Sequence, residues 1–302
     1  MRQSMEETAQ LPNGIELCYD TFGNRGSPAL LLIMGLAGPL TWWAQDLCRL
    51  LASRDFFVVR YDNRDVGKST KLGDHATNRT AVVKTFLRGS AAAPYTMSDL
   101  ATDAAGLLDH LDIRQAHVTG ASMGGMIAQT LALEHPDRVL SLVSIMSTTG
   151  RRFVGRQDPR LYPRFLAPGR NNSRGAYIER SARTWAAIGS PGYPTPAEET
   201  RERAAETYDR GISFAGVLRQ IQAVLTQPDR TTALHGLTMP VLVIHGLSDR
   251  LVNVSGGRAT AAAIPCAELL LIPGMGHDLP TQVWPLIADG IERTAKRARS
   301  LS

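Results

Sequence analysis

The chain has almost nothing with which to staple, anchor or metallate itself. Its three cysteines, Cys18, Cys48 and Cys266, are odd in number, widely spaced and without a C-x-x-C pair. That argues against a disulfide framework or a zinc site, and the thiols read as small buried hydrophobes of a reducing compartment. No apolar run approaches the ~18 residues of a membrane span. The opening residues, MRQSMEETAQLPNG, lack the apolar core of a secretory signal, so a cytoplasmic location is expected. Aromatic residues make up only 6%. None is interleaved with a basic stretch, so nucleic acid is not an expected partner. Residues 151–230 lack lysine but hold fourteen arginines against eight acids, while the whole chain carries +5. That surplus reads as a solvated surface or, more sharply, as a field for anionic substrates or a peripheral contact with anionic membrane. Nothing in the pattern sets an oligomeric state.

What is present is a regular alternation. With 302 residues, 43% of them hydrophobic, the chain can form one large α/β domain with an insertion. Ile15–Thr21 alternates like an exposed-edge strand. Ala29–Met34, Phe56–Tyr61, Ala116–Gly120, Val139–Met146, Pro240–Gly246 and Glu268–Pro273 read as further strands, the continuous apolar ones as strands covered on both faces. Between them, helices are predicted over Trp42–Leu51, Met97–Leu111, Met123–His135, Val254–Ala263 and Val283–Arg297. Thr96 and Asp99 resemble a capping box for the second of these. Alternation of this kind implies a mostly parallel central sheet with helices on both faces.

Residues 148–228 break the pattern. They are rich in Arg, Gly, Pro and Glu and contain helical periods but no good strand. The clearest helix is Phe214–Gln227, with Phe214, Val217, Leu218, Ile221, Val224 and Leu225 on one apolar face. The expected organisation is a core of residues 1–147 and 229–302 with a helical cap, 148–228, inserted into it. Residues 71–93 form a polar connection with weak helical character around Val82–Leu87 and no assigned role.

Three loops carry candidate chemistry. Gly120-Ala121-Ser122-Met123-Gly124 is a G-x-S-x-G pentapeptide between a predicted strand and a predicted helix, the setting of a nucleophile elbow. Gly120 and Gly124 are read as the positions where a side chain would clash across the sharp turn. A serine hydroxyl needs a base. His277, in Pro273-Gly274-Met275-Gly276-His277, follows the last strand at the sheet edge where catalytic groups gather. Its flanking glycines are read as letting the loop present the imidazole. His245 competes, but its place four residues before Asp249 favours a supporting role. Asp249 is the acid that would orient the histidine; Asp278, next to His277, is expected to point away. The oxyanion hole is assigned to the backbone N–H groups of Met123 and Leu36. Trp42 and Trp43 are read either as walls of an apolar substrate pocket or as core. The run from Asp62 to Ser69 reads as an Asp/Arg-knotted loop bracing the site, ahead of a substrate or metal role.

At these residues the chain resembles the α/β-hydrolase superfamily over nearly its whole length. The resemblance rests on M-G-L-A-G, D-N-R-D-V-G-K-S, G-A-S-M-G-G, E-H-P-D-R-V, H-G-L-S-D and P-G-M-G-H. Family members usually carry His-Gly where Met34-Gly35 stands, and a glycine where Asp65 stands. Both variants are similar to the branch that contains methylesterases of bulky anthracycline polyketides and lipase-like esterases. The resemblance implies a carboxylic ester hydrolase with a helical cap, acting on a small-molecule or lipid ester. The mechanism read from the residues needs no metal and no cofactor. Thioester or phospholipid hydrolysis by the same triad is the alternative, and a non-catalytic binding protein of the same fold a more distant one.

Overall fold

The apolar runs of the sequence assemble into one sheet. The computed structural model describes residues 5–73, 82, 93–161 and 173–300. Its strands are β1 (Glu7–Gln10), β2 (Glu16–Phe22), β3 (Ala29–Ile33), β4 (Phe57–Tyr61), β5 (Ala116–Ala121), β6 (Val139–Ile145), β7 (Val241–Gly246) and β8 (Ala267–Ile272). Across the sheet they run β1-β2-β4-β3-β5-β6-β7-β8. β1 and β2 are antiparallel to their neighbours. From β4 through β8 every pairing is parallel.

Two apolar layers hold the sheet, and β3 shows how. All five of its residues are buried. Ala29, Leu31 and Ile33 face one cluster, and Leu30 and Leu32 the other, as the two-residue strand period dictates. Helices α2 (Met97–His110), α3 (Met123–Glu134) and α7 (Ser255–Ala263) cover the first face. Helices α1 (Gln45–Ala52) and α8 (Trp284–Arg299) cover the second. The Thr96–Asp99 capping box starts α2 as expected. Each fully buried leucine contributes about 1.5–3 kcal/mol relative to exposure.

The fold class expected from the sequence is therefore found, with local corrections. Residues 15–21 are not the sheet edge, because β1 pairs outside β2 from Glu7 opposite Tyr19 to Gln10 opposite Glu16. β1 escaped notice because only Ala9 of its four residues points inward. The helix read from Trp42 begins at Gln45, after a single 3-10 turn over Leu40–Trp42. All but Val82 of the helix read over Val82–Leu87 lies outside the described residues. Between β6 and β7 the described residues form α4 (Arg174–Ile188), α5 (Ala197–Asp209) and α6 (Phe214–Thr226), with a 3-10 turn over Pro159–Leu161, one short helical turn over Thr231–Leu234 and no strand among them.

The face of α6 is a larger correction. The apolar residues read as one face of this helix are only partly covered. Its most buried residues are Gly216, Arg219, Gln220, Gln222 and Ala223. The helix turns polar side chains inward because it meets polar loops at the sheet edge, where their hydrogen-bonding groups find partners.

Candidate active site

Every sequence-nominated loop leaves the sheet at the carboxyl end of a parallel strand. Ser122 follows β5, residues 34–38 follow β3, Asp62–Ser69 follows β4, Asp249 follows β7 and His277 follows β8.

The elbow is sterically forced. Ser122 has φ +57 and ψ −121, a conformation that L residues rarely adopt. A Cβ on Gly120 would stand 2.1 Å from the Gly124 carbonyl oxygen, and one on Gly124 would stand 2.0 Å from that of Ile33. Both glycines are therefore needed, the second for approach to β3 rather than to the first. Serine is a favoured N-cap, yet Ser122 makes no side-chain cap bond to α3. Its hydroxyl is engaged elsewhere: Oγ lies 2.9 Å from His277 Nε2.

His277 Nδ1 lies 2.7 Å from Asp249 Oδ2. The carboxylate can only accept, so Nδ1 carries the proton and Nε2 turns its lone pair toward the serine hydroxyl. Asp249 Oδ1 accepts from the Leu251 N–H at 2.9 Å and the Val252 N–H at 2.8 Å. Burial pushes the Asp249 carboxyl up, but the hydrogen-bonded His277 ring and the nearby His245 ring outweigh it and bring it down to about 2. His245, fully buried, donates from Nε2 to the Val252 carbonyl at 2.8 Å, with the same nitrogen 3.5 Å from Asp249 Oδ2. It thus braces the aspartate loop.

The Met123 N–H heads α3, where helix geometry leaves the first donors unused. Among the described residues neither it nor the Leu36 N–H has an acceptor. Gly35 brings the two loops together, since a Cβ there would stand 2.9 Å from Ser122 Cβ and 3.5 Å from Met123 N. Trp43 is fully buried in the second core cluster. Trp42 is partly buried, donates from Nε1 to Thr207 Oγ1 at 2.9 Å and meets Trp185 edge-on at 5.2 Å. It is thus the one of the pair that touches the inserted helices.

The Asp62–Ser69 loop does tie elements together. Asp62 accepts from the Leu40 N–H at 2.7 Å and pairs with Arg210 at 2.8 Å. Arg64 pairs with Asp103 at 2.6 Å. Asp65 has φ +70, which explains why glycine is usual at this position. Its carboxylate adds what a glycine lacks: bonds from Arg219 at 2.7 and 2.8 Å and from Tyr95 Oη at 2.9 Å.

Sequence reasoning missed the contacts made by the inserted helices. The segment after α4 docks on the histidine loop. The His277 N–H donates to the Ile188 carbonyl at 2.8 Å, and Gly276 N–H to Ser190 Oγ at 2.8 Å. Ser190 Oγ also donates to Asp278, so that carboxylate is engaged by the segment after α4. Gly276 is bare because a Cβ would stand 2.3 Å from the Gly189 carbonyl oxygen. Its role is close packing of two loops, beyond the loop freedom read from the sequence. Part of the arginine surplus is consumed internally, as Arg210, Arg219 and Arg230 are buried or nearly so, whereas Arg151, Arg152, Arg156 and Arg160 are exposed. Among the described residues no group of three His, Cys, Asp or Glu side chains is placed to hold a metal, and no helix is long and apolar enough to cross a membrane.

Comparison with known proteins identifies the fold. The family described as alpha/beta hydrolase fold matches residues 28–280. Rhodomycin D methylesterase DauP from Streptomyces sp. (strain C5) is 28% identical over 305 residues, spanning 92% of this chain and 94% of that protein. 3-Oxoadipate enol-lactonase 2 from Acinetobacter baylyi is 29% identical over 245 residues, spanning 81% and 80%. The crystal structure of the enol-lactonase from Burkholderia xenovorans LB400 superposes with a TM-score of 0.67 at 24% identity, covering 97% of this chain and all of that one. The chain belongs to the α/β-hydrolase family.

Proposed function

We propose that the protein is a serine-dependent carboxylic ester hydrolase working through an acyl-enzyme. The observation that carries this reading is the unbroken chain from Ser122 Oγ through the His277 ring to Asp249, with spacings of 2.9 and 2.7 Å. His277 takes the hydroxyl proton as Ser122 Oγ attacks the ester carbonyl. The Leu36 and Met123 amides receive the developing oxyanion. His277 then protonates the leaving alcohol, and a water activated by the same nitrogen releases the acid. Asp249, held ionised, fixes the tautomer and stabilises the imidazolium. Relatives named methylesterase and enol-lactonase support an ester bond as the target. Residues 148–228 act as a helical cap whose contacts reach both the histidine loop and the loop after β3. The exposed arginines of its first part carry the expectation of attraction to anionic lipid, tested by salt-dependent vesicle binding.

Hydrolysis of p-nitrophenyl esters from short to long acyl chains, by wild type and Ser122→Ala, tests the reading. Turnover that vanishes in the variant supports it. Preference for thioesters or phospholipids would keep the triad and change the substrate class. Tight ligand binding without product release would replace the reading by a binding role.

A further inference from the structure

We propose that Gln220, on the inserted helix α6, is a positioning residue for the oxyanion hole. It holds the turn after β3 in the conformation that presents the Leu36 N–H beside Ser122. This rests on the ester hydrolase reading and adds a residue to that reaction.

The turn is closed by a bond from the Gly38 N–H to the Gly35 carbonyl at 3.1 Å. Its third residue, Ala37, has φ +57, while Leu36 keeps a negative φ. That is the pattern of a type II turn, which ordinarily has glycine at the third position. An alanine there sets its Cβ against the backbone, so neighbouring contacts have to hold the conformation in place. The contact that does so is on α6. The Ala37 N–H, the donor of the turn's central peptide, is accepted by Gln220 Oε1 at 2.8 Å. A type I turn would rotate that peptide over and withdraw the donor, so the bond selects one of the two conformations.

The glutamine is itself fixed. It is 0% exposed. Its Nε2 donates to the Arg64 carbonyl at 3.2 Å, and the preceding Arg219 is locked to Asp65 at 2.7 Å. On the other flank, Asn63 Nδ2 donates to the Met34 carbonyl at 2.9 Å. Leu36 lies between Gly35, which is too near Ser122 to carry a Cβ, and Ala37, which Gln220 grips. Its N–H orientation is therefore set from the nucleophile side and from the insert side together. Donor placement in an oxyanion hole is sensitive to displacements of a fraction of an ångström to an ångström.

The test is Gln220→Met, which keeps bulk but removes both hydrogen bonds. The expected result is a fall in kcat of about 10- to 100-fold, with KM within about twofold, on a p-nitrophenyl ester. Affinity for a trifluoromethyl ketone, which forms a tetrahedral adduct on serine, falls by the same factor. Affinity for an ether analogue of the ester does not. Gln220→Glu, which retains an acceptor for the Ala37 N–H, keeps more activity than Gln220→Met. Ala37→Gly placed on Gln220→Met recovers part of the rate, because glycine adopts positive φ without the bond. A purely structural role would lower the melting temperature without separating kcat from KM or the ketone from the ether. A folded Gln220→Met with kcat within about twofold of wild type overturns the inference. If that variant does not fold, Gln220→Glu and Ala37→Gly carry the test: Gln220→Glu losing kcat as a catalytic null does, with no recovery from added Ala37→Gly, overturns it. Failure of the ester hydrolase reading looks different, since the wild type itself would neither turn over ester nor form the ketone adduct.

Discussion

Residues 116–134 and residues 214–226 both present apolar helical periods, yet they are built on opposite terms. The first is a strand, an elbow and a helix buried from Met123 to Ala132 on every side. Each of its constraints is local: a strained serine, two glycines that exclude a Cβ, and a helix start left uncapped. The second keeps its apolar residues partly covered and buries Arg219, Gln220 and Gln222. Its constraints lie 154–183 residues away along the chain, in Asp65, Arg64 and Ala37. A local pattern reveals the first kind of region. The second kind becomes readable only when its distant partners are in place.

The largest expected effect lies in the first region. His277→Ala should lower ester turnover by about 10⁴-fold or more in steady-state assays, while far-ultraviolet circular dichroism stays that of the wild type. Retained turnover would remove the histidine from the reading and with it the local logic of the elbow.

The next effect tests the second region. Asp65→Ala leaves the Arg219 charge without its carboxylate, and urea unfolding should report a loss of about 3–5 kcal/mol. The Asp65→Gly/Arg219→Leu double variant removes both charges and restores the glycine that suits φ +70. It should lie closer to wild type than Asp65→Ala does. Equal losses would mean that the ion pair is not what fastens α6 to the core.

What was legible follows the same division. The strands were readable because β3 to β7 are covered on both faces and their apolar runs leave no other solution. The meeting of Ser122, Asp249 and His277 was readable because each comes just after a strand, with its own local signature. The face of α6, the docking of Ile188 and Ser190 on the histidine loop and the grip of Gln220 on Ala37 were not, since no local period encodes a partner so far along the chain. β1 was hidden for a simpler reason, having a single inward residue.

Core substitutions sharpen the contrast further. Leu32→Ala, at the centre of β3, should cost about 2–5 kcal/mol. Leu218→Ala, on the partly covered side of α6, should cost about 1 kcal/mol or less in the same urea titration. A Leu218→Ala loss as large as that at Leu32 would restore the apolar face as the buried one.

A last effect concerns acid. The Asp249 carboxyl titrates near 2 in the folded protein against an ordinary value of 3.8. Its contribution, about 2 kcal/mol, is full above pH ~4 and is lost as the pH falls through about 2. Stability measured from pH 5 to pH 2 should therefore fall more steeply in wild type than in Asp249→Asn. Parallel curves would contradict the ionised aspartate.

A covalent intermediate on Ser122 is what the proposed chemistry requires, and peptide mass mapping of enzyme quenched during turnover of a p-nitrophenyl ester detects it. The acyl mass is expected on the peptide that contains Ser122, with no adduct in Ser122→Ala. Turnover that proceeds without that adduct, and at the same rate in Ser122→Ala, would contradict it.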